Sequence, residues 1–267
     1  MLRVSAATRS TGCGDGGRVG RPSRNQLAHS ALPAQQRVQS HRNEMLRRKG
    51  RHGPLRIAAA TSSQLLEVIE SSPEDKGAVL GVASELDSAP ETALTCLDGD
   101  WTVSWTDLGK GWISKAVMGL FTPSLKMLSF GTLPPVKVAI VDSYNRVRGG
   151  SYDLLQVFQL EGSDVTAAMV LSGTCGPDLE RPNRLNVQFS SVRVLTREDA
   201  PLEWRDVLVE AGLGDALTAA QGVVAKCTYI DVDYIDDVLR VHKGESGTTY
   251  VLRRLQPPAH IPFPLEP

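Results

Sequence analysis

Four aspartates lie close together near the end of the sequence, and carboxylates at short spacing are candidate metal ligands. They are Asp231, Asp233, Asp236 and Asp237. Calcium requires about six to eight oxygen ligands from a closed loop. This stretch lacks the D-x-[DN]-x-[DN]-G spacing, and Tyr234 and Ile235 within it favour a strand. We therefore expect a solvated acidic face, with no metal and no cofactor.

Catalytic chemistry has equally little support in the sequence. There is no G-x-S-x-G, H-E-x-x-H or P-loop. Of the five histidines, three precede residue 60, His260 lies in a Pro-rich tail, and only His242 falls among predicted strands. The cysteines at 13, 96, 175 and 227 form no C-x-x-C pair. A G-x-G-x-x-G match at residues 12–17 lacks the strand and helix that dinucleotide binding needs. We expect that the protein is not an enzyme.

The charge is divided unevenly along the chain. Residues 1–60 contain eleven arginines and Lys49 against Asp15 and Glu44, whereas residues 61–267 contain 17 basic and 28 acidic residues. An Arg-rich, acid-poor leader without an apolar core is typical of an organelle transit peptide. The small residues Ala58–Ala60 suit a processing site near residues 57–60. The alternative is a basic disordered arm that binds anions. The acidic remainder disfavours nucleic acid as a partner.

The elements that would position any site follow from hydrophobic periodicity. Residues 61–92 repeat apolar side chains at helical spacing and predict an N-terminal helical lead. From Gly99 the period changes to two, and seven or eight short strands within residues 93–255 favour a closed antiparallel barrel or a sandwich. Apolar segments at 108–135 and 199–220 interrupt the strands with helical patterns. The Pro-rich tail, residues 256–267, cannot join a central strand.

Two stretches resemble a known family. They are LDGDWTVSWT at residues 97–106 and DVDYIDDVLRVHKGESGTTYVL at residues 231–252. Together they are similar to the opening strand and closing hairpin of the plastid lipid-associated protein (PAP/fibrillin) family, and the resemblance covers roughly residues 62–254. It implies a mainly β fold, a lipocalin-like antiparallel β-barrel with an N-terminal helical lead and a helical insertion. The leader, residues 1–60, would then be a chloroplast transit peptide.

The same resemblance implies a function. Members associate with thylakoids and plastoglobules and bind or coat apolar lipids of the quinone, carotenoid or tocopherol class, with no established catalytic activity. The alternative that we keep is a non-catalytic scaffold, which would tether a plastid biosynthetic enzyme at the thylakoid and fill its barrel with its own side chains. A low aromatic content of 5% mildly favours an open cavity.

Alternation and the resemblance together predict the residues of the site. The side chains expected to contact lipid, in the barrel interior or at its mouth, are Trp101, Val103, Trp105, Trp112, Phe121, Val138, Ile140, Phe158, Val187, Phe189, Tyr234, Val241 and Tyr250. A second set is expected to be structural: Gly99, Asp236, Arg240, Gly244 and Gly247. Trp101 is expected chiefly to plug the narrow end of the barrel. For Asp236 and Arg240 we expect an ion pair or turn-fixing hydrogen bonds rather than a ligand-binding charge.

Overall fold

A computed structural model describes residues 60–87, 97–107 and 122–265. The predicted transit peptide lies outside the described residues, as do Trp112, Phe121 and the predicted helical face of the segment that contains them. Within the described residues the fold is mainly β, with eight antiparallel strands in one closed barrel. The predicted barrel is confirmed, and the sandwich is excluded because the sheet closes on itself.

The barrel is an up-and-down meander in which each strand pairs with the next along the chain. The strands are β1 Gly99–Thr106, β2 Val138–Arg148, β3 Ser151–Leu160, β4 Thr166–Pro177, β5 Arg184–Thr196, β6 Gln221–Ile235, β7 Leu239–Gly244 and β8 Thr249–Arg254. The barrel closes where β1 pairs with β8, in a register that sets Trp101 opposite Arg254. Each of the eight strands is therefore paired on both sides along at least part of its length.

Two helices form the N-terminal helical lead, α1 (Ser62–Ser71) and α2 (Lys76–Glu85). Thr61 and Gln64 form a capping box at the start of α1. The apolar sides of these helices pack on the outside of β1, β7 and β8. The resulting outer cluster consists of Leu65, Ile69, Val79, Leu86, Trp105, Leu239, Val241 and Val251.

Further helical turns lie between strands. A short helix α3 (Leu125–Leu128) precedes β2, and α4 (Glu203–Leu208) and α5 (Gly214–Thr218) connect β5 to β6. Gly212 breaks the helical path between α4 and α5 with a φ of 82°, a conformation that favours glycine. The buried Leu208 and Leu213 join the core of the barrel interior, so the predicted helical insertion helps to cover one end of the barrel.

The Pro-rich tail packs against the barrel wall without forming a strand. Ile261, Phe263 and Leu265 are buried against side chains on the outer faces of β3 and β4, and Arg193 donates a hydrogen bond to the Leu265 carbonyl. The tail therefore covers a second part of the outer wall. No helix among the described residues has the length and apolar character needed to cross a bilayer.

Register shifts interrupt the strands and decide which side chains face inward. One lies between Val103 and Trp105 in β1, and another between Val232 and Tyr234 in β6. An extra residue in a strand moves the following side chains to the other face. At a third shift, between β4 and β5, Ser190 of β5 is the extra residue. There Gly173 approaches the β5 backbone so closely that a Cβ atom would stand 2.0 Å from the Gln188 carbonyl oxygen.

Candidate ligand-binding cavity

The barrel encloses a cavity of about 370 Å³, to which all eight strands contribute. Its rim, among the described residues, includes Lys226 of β6 and Glu245 and Ser246 of the β7–β8 turn. The Lys226 ammonium and Glu245 carboxylate approach to 3.6 Å there and are both largely solvated. The cavity falls in the size range of small-molecule binding sites, roughly 300–1,000 Å³.

Most of the cavity wall is apolar. Its aliphatic and aromatic lining includes Val103, Leu128, Phe130, Ile140, Leu154, Leu171, Val187, Phe189, Ile230 and Tyr250. The Phe189 ring centroid lies 6.2 Å from that of Phe130 and 6.1 Å from that of Tyr152, which gives one side of the cavity an aromatic face. Of the side chains predicted to contact lipid, the structure places five on the cavity wall: Val103, Ile140, Val187, Phe189 and Tyr250.

The end of the barrel opposite the rim is closed by Trp101. Its indole is fully buried and donates a hydrogen bond of 3.0 Å to the Leu97 carbonyl. The Arg254 guanidinium carbon lies 4.2 Å from the indole centroid, and that of Arg240 lies 4.9 Å from it. Gly99 leaves room for Arg254, because a Cβ atom there would meet its guanidinium at 2.4 Å. This is the plugging arrangement expected for Trp101.

Val138 and Phe158 also belong to the buried core of the barrel interior. They do not reach the cavity surface. They shape the interior from behind the residues that line it.

Arg240 is buried at the closed end, in the barrel interior. It donates from Nη2 to Asn145 Oδ1 at 2.7 Å, and the Tyr152 hydroxyl donates to the same oxygen at 3.1 Å. Its Nε and Nη1 atoms have no hydrogen-bond partner among the described residues. Burial lowers the pKa of Arg240 to about 10, and the charge of Arg254 acts in the same direction. The guanidinium is therefore charged at neutral pH.

His242 and Gln156 place further polar atoms at the cavity. The His242 ring is stacked on Tyr250 with centroids 5.3 Å apart, and its Nδ1 has no partner among the described residues. Burial and the nearby charge of Arg240 hold the pKa of His242 well below 6.5, so the imidazole is neutral at pH 7. Gln156 Oε1 is likewise buried without a partner among the described residues. An otherwise apolar cavity thus offers polar groups at specific points.

Three side chains predicted for the interior lie instead on the outer side of the wall. Trp105 and Val241 belong to the outer cluster, and Tyr234 packs against it. Trp105 and Tyr234 each follow a register shift, at Ser104 and Asp233, which reverses their direction. The Trp105 indole donates to the Pro73 carbonyl at 2.8 Å, so its polar atom is satisfied by the helical lead.

Val241 lies outside for a different reason, since no register shift separates it from Arg240 and His242. The inward positions of β7 are occupied by those two polar residues, and the outward positions by Leu239 and Val241. The helices above the wall bury the apolar side. Sequence alternation identified the two faces of β7 but assigned them in reverse.

Asp236 fixes the β6–β7 turn through hydrogen bonds. One carboxylate oxygen accepts from the backbone of Val238 at 2.8 Å and of Leu239 at 2.6 Å. The other accepts from the Tyr234 hydroxyl at 2.8 Å and from the Ser62 hydroxyl, which ties the turn to α1. Of the two alternatives expected for Asp236, turn-fixing hydrogen bonds or an ion pair with Arg240, the carboxylate makes the hydrogen bonds and not the ion pair.

The remaining signature glycines serve the β7–β8 turn. Gly247 adopts a φ of 78°, and Gly244 donates to the Thr248 carbonyl at 3.0 Å. The other aspartates of the acidic cluster diverge: Asp231 pairs with Arg184 at 2.7 Å and Asp233 with Lys243 at 2.9 Å. Among the described residues, no group of three or more metal-ligating side chains converges on one point.

Sequence reasoning missed the polar floor formed by Asn145, Tyr152 and His242, and the buried Arg240 behind it. One signal was present in the closing hairpin. The turn of this hairpin pairs Arg240 with Leu252 and His242 with Tyr250 on β8. On β6, the partner of Arg240 is Ile235. A charge flanked only by large apolar cross-strand partners indicates a position inside a wall rather than on a solvated face.

The chain was compared with models of protein families and with curated proteins. No family model matches the chain, and no curated protein matches it at significant similarity.

Proposed function

We propose that this protein binds an apolar lipid inside its barrel, as a plastid protein of the fibrillin type. The observation that carries the proposal is the cavity of about 370 Å³, which is mainly apolar and bounded by all eight strands. Apolar surface kept away from water inside a barrel favours an apolar occupant. Quinones, carotenoids and tocopherols are the lipid classes to which the family resemblance points.

The cavity volume limits how much of such a lipid is enclosed. At roughly 30 Å³ per water molecule, 370 Å³ corresponds to about a dozen waters. That space suits a ring or the first part of a chain, and the rest of a long prenyl lipid would leave through the mouth. A ring-headed quinone or tocopherol therefore fits better than a carotenoid enclosed from end to end.

Exposed apolar side chains near the mouth support contact with a lipid surface. Phe130 lines the cavity and is nevertheless 41% exposed, and Met127 on the neighbouring turn is 46% exposed. Residues 61–267 carry 28 acidic against 17 basic residues, which repels anionic lipids. We propose docking on a neutral surface, a plastoglobule or the galactolipid of a thylakoid.

The cavity also bears on the scaffold alternative. A barrel that only tethers a partner enzyme was expected to be filled by its own large side chains. Two large inward side chains, Trp101 and Phe158, are buried in the core beside the cavity, and two others, Phe189 and Tyr250, line its wall and leave it open. This arrangement supports a carrier over a filled scaffold.

The test is native mass spectrometry with organic extraction of the full chain, expressed in and purified from a photosynthetic host. We expect an apolar lipid to be extracted at near one per chain. Leu154→Trp, which points a large ring into the cavity, should lower that occupancy. Val141→Trp, on the outward and 53% exposed side of β2, is the matched control and should not. A wild-type barrel that purifies empty would contradict the proposal.

A further inference from the structure

Arg240 differs from the other well-buried arginines of the barrel. Arg146 and Arg184 each make paired hydrogen bonds to a carboxylate, with Asp100 at 2.8 and 3.0 Å and with Asp231 at 2.7 Å. Their side chains remain 14% and 13% exposed. Arg240 is completely buried, and among the described residues no carboxylate pairs with it. The most deeply buried of these charges is thus the one without a counter-ion.

A buried charge without a counter-ion is unfavourable, because the interior does not replace the solvation that water gave. The partner that Arg240 has, Asn145 Oδ1, is a neutral oxygen that also accepts from Tyr152. Stacking on Trp101 adds a cation–π contact. Neither contact neutralises the charge, and two of the three guanidinium nitrogens remain without a partner among the described residues.

The uncompensated charge lies directly behind the cavity floor. Asn145 and Tyr152 both line the cavity. The Asn145 Oδ1 atom accepts hydrogen bonds from both Arg240 and Tyr152. His242 is also on the cavity wall, and its Nδ1 has no hydrogen-bond partner in the part of the chain that the structure describes. In a low-dielectric interior the field of a single charge extends over several ångströms with little screening. A group seated on this floor therefore experiences the charge of Arg240 and is surrounded by hydrogen-bonding side chains.

We propose that the lipid held in this barrel carries a carboxylate at its inner end and that Arg240 recognises it. This inference rests on the proposed lipid-binding function, but it expects an acidic lipid in place of the neutral quinone or tocopherol to which the family resemblance points. A carboxylate supplies one negative charge for a guanidinium that has no counter-ion among the described residues, and it accepts a hydrogen bond from the His242 ring. A neutral ring would leave the charge uncompensated, and a doubly charged phosphate would bring one charge too many.

The test compares hexadecanoate with its methyl ester, which has the same chain but no charge, by calorimetry on the delipidated full chain at pH 7.5. We expect hexadecanoate to bind at least about tenfold more tightly, because the charge of Arg240 attracts the anion through a low-dielectric interior and has no such effect on the ester. In Arg240→Met the acid should weaken to the level of the ester, whose affinity should not change. Arg253→Met, on the exposed outer side of β8, is the matched control and should bind like the wild type.

A spectroscopic measurement on the wild type does not depend on any variant folding. Hexadecanoate labelled with ¹³C at the carboxyl should titrate with a lower pKa when bound than when free, because Arg240 favours the anion. An unchanged or raised pKa would overturn the inference.

The outcomes separate this inference from the function on which it rests. If acid and ester bind equally, and Arg240→Met changes neither, lipid binding stands and recognition of a carboxylate is wrong. If a neutral short-chain quinone binds more tightly than hexadecanoate, recognition of a carboxylate is again wrong. If the acid, the ester and the quinone all fail to bind, the proposed function itself fails.

Discussion

The two faces of β7 are both buried, yet they have opposite chemistry. Leu239 and Val241 point outward into an apolar cluster beneath α1 and α2, whereas Arg240 and His242 point into the barrel. In a barrel bare on its outside the pattern would be reversed. The helical lead turns this part of the outer wall into a second core, so that an apolar side chain there no longer marks the interior.

A comparison with β5 shows what happens where the wall is open to solvent. Leu185, Val187 and Phe189 face the interior, and the intervening Asn186 and Gln188 are exposed. The rule that apolar side chains face inward therefore holds for β5 and fails for β7. What differs between the strands is the helical cover. Four substitutions and one control variant test what each side of the wall contributes.

The largest effect is expected for Trp105→Ala, which empties the outer cluster. Trp105 is buried between the wall and the helical lead, and loss of such a side chain costs about 3–5 kcal/mol. Urea unfolding should show this loss, while the lipid affinity of the folded fraction should stay unchanged. A loss of lipid affinity without a loss of stability would show that Trp105 contributes to lipid binding and not to the outer cluster.

The next largest effect is expected for Asp236→Ala. It removes the acceptor for two backbone N–H groups in the β6–β7 turn, which should cost about 1–3 kcal/mol. Burial acts to raise the pKa of Asp236, but its hydrogen bonds outweigh burial and hold the pKa below the ordinary value. This stabilisation is therefore present above about pH 4 and is lost as the pH falls through the lowered pKa.

The neighbouring Asp237→Ala is the control for that experiment and should change the free energy of unfolding by less than about 0.5 kcal/mol. Urea unfolding of both variants at pH 7 and at pH 3 makes the comparison. Equal losses at pH 7 would contradict the role assigned to Asp236, and so would a difference that persists undiminished at pH 3.

A smaller effect, of the opposite sign, is expected for Arg240→Met without lipid. Replacing an uncompensated buried charge with an apolar side chain of similar length should raise the free energy of unfolding by about 1 kcal/mol. Asn145 keeps its hydrogen bond from Tyr152. Thermal unfolding of the delipidated protein measures the change. A clear loss of stability would show that Arg240 serves the fold rather than a ligand.

The smallest effect concerns pH and His242. Its lowered pKa means that the unfolded chain takes up a proton near pH 6.5 and the folded chain does not, so stability falls on acidification. Between pH 7 and pH 6 this residue should account for at most about 0.7 kcal/mol, a limit set by the unfolded pKa. Arg240 and Tyr250 face the imidazole, and neither changes charge in that range.

His242→Phe should remove this part of the pH dependence and leave the stability at pH 8 nearly unchanged. Denaturant midpoints at pH 6, 7 and 8 provide the comparison. An unchanged slope in the variant would mean that His242 is protonated in the folded protein.

The fold was largely predictable because its signals are local. Period-two alternation and glycine-containing turns predicted the barrel strands, and helical spacing predicted the lead. Whether an individual side chain points into or out of the barrel was harder to predict from the sequence. Trp105 and Tyr234 follow register shifts that depend on the neighbouring strand, and Val241 lies under helices distant in sequence. The polar floor was missed because charged and polar residues in a strand usually face water.

The seam between β1 and β8 has a consequence for the order of events during synthesis. Trp101 and Arg254 pair across it although they stand 153 positions apart, and the tail that covers β3 and β4 is made later still. While the chain grows from its N-terminus, β1 has no partner on that side until the last strand emerges. Such distant pairing is slow. A nascent or truncated chain that ends before residue 249 has an open sheet in place of an enclosed interior.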